Sequence, residues 1–397
     1  MLILNTLPSH GEPLDAYDAE MLSITAAEGV EGALAHWPEY GSTPLVAVPA
    51  LASELGVAAI HVKDEGRRAG LGSFKALGGA YAVARLALEH AGRRLKRDLA
   101  FPDLIDPDVR SVSAGLTFGC ATDGNHGRSV AWGASHVGAA SAVFVHAGVS
   151  DERVAAIARY GADIIRVPGT YDNSVEDAAR VCADNGWKVV SDTSWPGYER
   201  VPGFVMQGYT VLLREALRQL PEPPTHVFIQ AGVGGIAATL AGHLAIVFGK
   251  TRPSLIVVEP ARAACLFASV QAERSTKIAH GEPTVMAMLE CYEPSLIAWR
   301  VLSRAADAFM TVDEEDAVSA MNRLGRPVGD DPAIVAGESG GAGFAGLVRV
   351  VGDDGWRRSI GLGPDARVLL VNTEGATDPE RYRALTGLDP HAVVRAD

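Results

Sequence analysis

The chain has 397 residues, 48% hydrophobic and 21% charged, which excludes a mainly disordered polymer and supplies apolar surface for a sizeable core shared between about two or three domains. Asp and Glu outnumber Lys and Arg 48 to 35, a formal charge of −13 that repels polyanions and argues against nucleic acid as a partner. The amino terminus has neither a basic region nor a continuous apolar run, and no stretch approaches about 18 apolar residues, so a cytoplasmic protein without a membrane partner is expected.

The four cysteines, Cys120, Cys182, Cys265 and Cys291, lack Cys-x-x-Cys spacing and are too sparse for a disulfide framework. They read as buried or incidental thiols, with a Cys265/Cys291 pair open if the fold joins them. No His/Cys/Asp cluster has metal-ligand spacing.

In chain order, AAIHVK at 58–63 reads as a buried strand. It leads into KDEGRRAGLGSFKALGGA at 63–80, a polar, Gly-rich loop with Ser73, Phe74 and Lys75 at the start of a helix. An amine there, partly desolvated and close to an anion-binding helix start, suits a Schiff-base lysine. Taken alone Lys75 reads as an ordinary solvated lysine, and Lys63 at the strand end is a rival. A strand-like approach ends at Ala121. Thr122, Asp123, Gly124, Asn125, His126 and Gly127 then form a turn into the helix GRSVAWGASHVG. That turn exposes backbone N–H groups to a carboxylate and lets Asn125 donate to a ring oxygen, or is an ordinary surface turn.

SAVFVHAG at 141–148, ADIIRVPG at 162–169 and KVVSD at 188–192 continue as strands, alternating with the helices DERVAAIARYGA and NSVEDAARVCADNG. Asp192 closes the last of them with acid/base potential. After the helix GYTVLLREALRQL, Pro221, Pro223 and Pro224 make a turn-rich connector to THVFIQAG at 225–232. Gly232, Gly234 and Gly235 in QAGVGGIAATLAG permit amides to embrace a phosphate, or permit close helix packing. PSLIVVEP at 253–260 ends near Glu259, which also reads as a turn cap before Pro260. GESGGAGFAG at 337–346 is a further Gly-rich segment, and ARVLLVNTEG at 366–375 is the last strand. Thr373 there can bond a pyridine nitrogen or cap a turn. Strands alternating with crossover helices make the fold class α/β. One group lies around 115–195 and another from about 225 onward, and their carboxyl ends are expected to face a shared cleft.

Several motifs in this order and spacing resemble the fold-type II pyridoxal-phosphate enzymes, the tryptophan synthase β family. SFKALGGA resembles its Schiff-base lysine motif, DGNHG its asparagine and carboxylate loop, and AGVGG its phosphate loop. KDEGRRAGLGSFKALGGAYA, ATDGNHGRSVAWGA, VPGTYDNSV, SDTSWPGYERVP, MQGY, TVMAMLECYEPS, GESGGAG and LLVNTEGATDPERY resemble more closely the diaminopropionate ammonia-lyase family, from about residue 37 to 385.

The resemblance implies two open, twisted, mainly parallel sheets flanked by helices, with the active site in the interdomain cleft. The large cofactor-binding domain would comprise 1–88 and 201–397, and the small α/β domain 89–200. Lys75 would hold pyridoxal 5′-phosphate beside Phe74. Asn125 would contact its ring hydroxyl, Gly232, Val233, Gly234 and Gly235 its phosphate, and Thr373 its ring nitrogen. Asp123 and Asp192 would join Lys75 in catalysis, and Ser73, Thr122, Asp123, Gly124 and His126 would bind a small amino-acid substrate. The implied reaction is α,β-elimination of D- or L-2,3-diaminopropionate by a homodimer. A serine or threonine dehydratase or another β-elimination or β-replacement enzyme is the alternative, and a non-catalytic cofactor-binding protein is another. The dehydratases carry a small hydroxyl residue where Asp123 stands. One departure is Tyr292, beside Cys291 and Glu290, where relatives have a small residue. It narrows the substrate opening or packs behind the pocket.

Overall fold

The apolar segments pair into two sheets because most are buried on both faces, which a parallel strand covered by helices requires. The computed structural model describes residues 1–37, 39–122, 124–169 and 171–393. Its larger sheet has seven strands in the order β1 (Leu2–Leu4), β10 (Ala308–Val312), β9 (Ser254–Pro260), β8 (His226–Gln230), β11 (Arg367–Asn372), β3 (Ala59–Asp64) and β2 (Leu45–Ala47). Only the edge pairs β1/β10 and β2/β3 are antiparallel. The smaller sheet, all parallel, has four strands in the order β6 (Asp163–Val167), β5 (Ala140–His146), β4 (Thr117–Ala121) and β7 (Lys188–Val189).

The expected α/β architecture is therefore present, with the carboxyl ends of β8 and β11 facing those of β4 and β7 across one cavity. β1, β2 and β10 are additional to the expected strands. The NSVEDAARVCADNG helix begins two residues early, at Tyr171, and two other helix starts differ from expectation in ways that bear on the site. The GYTVLLREALRQL helix begins already at Arg200, running Arg200–Gln219. The helix after β4 begins at Asn125, so Asn125, His126 and Gly127 form its first turn and not a preceding loop. Residue 88, the expected domain border, falls inside the helix Lys75–Leu95.

That helix is held by backbone-close packing that only glycine allows. A methyl group at Gly208 would collide with the Leu77 carbonyl, one at Gly78 with the Tyr209 ring, and one at Gly133 would lie 2.7 Å from Ala80 Cα. Three helices, Lys75–Leu95, Asn125–Val137 and Arg200–Gln219, are thereby locked together at the floor of the cavity. Below it lies a buried charge cluster. Arg68 donates to both Glu65 and Glu215, and Lys63 pairs with Glu215 at 2.7 Å.

Candidate active site

Lys75 opens its helix, so its amine projects from an element whose position the glycine contacts fix. Its Nζ pairs with the carboxylate of Asp192, which follows β7. Burial works against the lysine's charge, yet Asp192 outweighs it and raises the amine above its ordinary range. Burial likewise opposes ionisation of Asp192, while Lys75 holds it well below the usual carboxylate range. Phe74 and Tyr209 flank the amine, with ring centroids 5.3 and 6.0 Å from Nζ.

His126 lies beside this pair. Its Nε2 is 2.8 Å from the Val190 carbonyl, which makes Nε2 the donor, and Nδ1 sits 4.0 Å from Asp192 Oδ2 without a hydrogen-bond partner among the described residues. Burial lowers its pKa, so the ring is neutral at pH 7. Thr122 Oγ1 accepts from the amides of Gly124 and Gly127 at 3.0 and 3.1 Å, which pins the entry to the helix. Ser73 Oγ accepts from the Lys75 amide at 3.3 Å. Asp123 lies outside the described residues.

Asn125 donates from Nδ2 to Glu374 Oε2. Glu374 follows Thr373 at the end of β11 and is pushed up to about 7 by burial, then by the charge of Glu338. Glu338 is itself held by Arg153 at 2.9 Å and Arg381 at 3.3 Å. Thr373 accepts from Gln230 Nε2 at 2.7 Å, leaving its hydroxyl proton for a ligand, and its carbonyl accepts from the Phe74 amide at 3.0 Å.

The loop Gly232, Val233, Gly234, Gly235 runs from β8 into the helix Gly235–Phe248. Gly234 has φ +98°, and a Cβ on Gly232 would lie 2.9 Å from Cys291 Sγ, so both positions exclude side chains. The first amides of the helix have no intrahelical carbonyl and border the same cavity as Lys75.

Lys63, the rival amine, is fully buried under the sheet, pairing with Glu215 and donating to the Thr43 carbonyl at 2.7 Å. Glu259 does not cap a turn before Pro260. It accepts from the amides of Leu266 and Phe267 at 2.8 and 2.7 Å, capping the helix Cys265–Gln271, and burial raises it to about 8. Cys265 and Cys291 both border Gly232 and are not joined by a disulfide. Tyr292 lines a neighbouring cavity that shares Val233 and Cys291 with that of Lys75, donating to Glu290 at 2.9 Å with its ring 4.0 Å from His280. Tyr209, Gln230 and Glu374 also line the pocket; all three lie inside motifs that carry the resemblance, MQGY, QAGVGG and LLVNTEGATDPERY, without being singled out as site residues.

The pyridoxal-phosphate dependent enzyme family model matches residues 36–374. The chain is 39% identical over 362 residues, 89% of either sequence, to the diaminopropionate ammonia-lyase of Escherichia coli strain K12. The chain belongs to the diaminopropionate ammonia-lyase family. The crystal structure of the Escherichia coli diaminopropionate ammonia-lyase with D-serine superposes with TM-score 0.88 at 35% identity, covering 99% of this chain and 98% of that one. Its complex with an aminoacrylate–PLP azomethine reaction intermediate gives TM-score 0.85 at 34% identity over 97% and 96%. Pyridoxal phosphate is the cofactor of this ammonia-lyase family member, and the cavity fits it. An amine, a glycine-rich amide cradle, a hydroxyl donor and an amide converge there, one for each of its aldehyde, phosphate, ring nitrogen and ring hydroxyl.

Proposed function

We propose that this chain converts D- and L-2,3-diaminopropionate, with water, into pyruvate and two molecules of ammonia. The observation that carries the reading is the Lys75–Asp192 ion pair facing the Gly232–Gly235 cradle in one cavity, within a chain of this family. Lys75 would hold the aldehyde of pyridoxal phosphate, Gly232, Val233, Gly234 and Gly235 its phosphate, Asn125 its ring hydroxyl and Thr373 its ring nitrogen, beside Phe74. When bound, the cofactor supplies a carbonyl for amine exchange and an electron sink for the α-carbon.

The protein's own groups manage the protons. Lys75, freed by the incoming amine, takes the α-proton from one face, and Asp123 serves the opposite stereochemistry. The β-amino group must depart as ammonia, so it must stay protonated. Asp192 or Asp123 pairs with that ammonium and keeps it cationic. Ser73, Thr122, Gly124 and His126 orient the remaining substrate, with the neutral His126 ring adding no competing charge. The released enamine hydrolyses in water to pyruvate and the second ammonia. A cytoplasmic homodimer completes the proposal, supported by the family resemblance.

Purified protein supplied with pyridoxal phosphate should release two ammonia per pyruvate from the diamino acid. Lys75→Ala should abolish the visible absorption of the bound cofactor and lower turnover by about 10³-fold or more. Retention of elimination by that variant would refute the assignment.

A further inference from the structure

Glu374 stands in the cavity with no task in the scheme above. It is 2% exposed and bonds Asn125 through Oε2. Asn125 is the residue placed at the ring hydroxyl, so the amide that would serve the ligand's ring oxygen is already engaged by a carboxyl group. An ionised ring oxygen and an ionised Glu374 would pull on the same N–H₂ group from opposite sides. Two anions sharing one small donor in a water-poor cavity is the arrangement in which one of them keeps a proton.

The surroundings decide which. Glu338, from the segment before the helix Ala342–Val351, adds a negative charge next to Glu374. Arg153, from the helix Asp151–Ala158, and Arg381, from the helix Pro379–Thr386, are spent on Glu338. Against these, the charge of Arg153, the Asn125 bond and the Ser339 amide favour the ionised form, and Thr377 adds a long hydroxyl contact of 3.5 Å, but burial and Glu338 outweigh them. Lys75 and Asp192 face each other elsewhere in the cavity. No cation among the described residues therefore pairs directly with Glu374, and an arriving phosphorylated ligand adds negative charge to the same space.

We propose that Glu374 is a positioning residue that takes up a proton when the anionic cofactor enters, so that the Asn125 amide, with one N–H for each, lies between the ring oxygen and a neutral acid and not between two anions. This rests on the reading of the cavity as the pyridoxal-phosphate site. Its sign is fixed: the ligand favours the protonated acid, so loading consumes a proton on the alkaline side of neutrality and cofactor affinity weakens as pH rises there. The already raised titration of Glu374 puts this within reach of pH 8.

The test is calorimetric loading of the apoenzyme with pyridoxal phosphate at pH 8 in two buffers of different ionisation enthalpy, for the wild type and Glu374→Gln. Gln keeps the shape of the neutral acid and carries no proton to gain. The wild type should take up close to one proton per chain more than the variant, on the order of the full linkage of a single site. Independently of any variant, the infrared difference spectrum of the wild type should gain a protonated-carboxyl carbonyl stretch on loading. Equal proton uptake in the two proteins, or no such band, would overturn the role of Glu374 while leaving the cofactor site standing. Failure of the wild type to bind pyridoxal phosphate at all would overturn the site itself and this inference with it.

Discussion

Lys75 and Asp192 divide the charge of the cavity between them: each holds the other ionised against the cost of burial, so a cation and an anion stand ready at neutral pH. Asp123, two positions before Asn125, is the second carboxylate of the proposal. Changing Asp123 to Asn should slow elimination from D-2,3-diaminopropionate by about 10²–10⁴-fold, the usual weight of a general base, while the cofactor's absorption persists. Unchanged relative rates for the two enantiomers would remove it from the mechanism. Lys75, Asn125, Thr373 and the glycine loop were legible because each lies in a contiguous motif at the edge of a strand or helix. Glu374 was printed within such a motif, yet its bond to Asn125 joins residues 249 apart, and only the facing of the two sheets brings them together. Tyr209 was hidden for a similar reason: its neighbourhood with Lys75 depends on how two helices cross.

That crossing is decided by glycines. At Gly208 an added methyl meets the Leu77 carbonyl, a backbone atom that cannot swing away. Gly208→Ala should therefore push the helix Arg200–Gln219 off the helix Lys75–Leu95 and destabilise the fold by about 1–3 kcal/mol, the usual cost of overpacking. The same shift moves Tyr209 relative to Lys75. Thermal melting together with cofactor retention would detect both effects, and a variant with the wild-type melting temperature would show that the contact is not fixed as described. At this scale the sequence signal was uneven. β8, β9 and β11 are continuous Val-, Ile- and Leu-rich runs ended by polar or glycine residues, and they stand out. β10, Ala308–Val312, follows so closely on the helix Leu296–Ala305 that the apolar pattern runs through both. β1 and β2 have three residues each, too few for alternation to register, and exist because the sheet edges receive them.

For the whole molecule, the charge cluster of Lys63, Glu65, Arg68 and Glu215 ties the loop after β3 to the helix Arg200–Gln219 beneath the cavity. Burial opposes the charge of Glu215, but Arg68 and Lys63 hold it down at about 2. A depressed carboxylate contributes stability above its unfolded pKa and loses it as pH falls through the folded one. Denaturant unfolding should therefore show this contribution declining between about pH 4.5 and pH 2. Glu215→Ala, which takes the carboxylate from buried Lys63 and leaves Arg68 with Glu65 alone, should cost about 3–5 kcal/mol at pH 7 and flatten that decline. An unchanged acid limb would place the stabilising charge elsewhere.

These three scales serve one claim, that the cavity between the sheets eliminates ammonia from a diamino acid. The direct measurement is pyruvate release by the purified protein with pyridoxal phosphate, given D-2,3-diaminopropionate, L-2,3-diaminopropionate and L-serine side by side. The account predicts release from both diaminopropionate enantiomers, each faster than from serine. Faster release from serine, or none from either diamino acid, would contradict it.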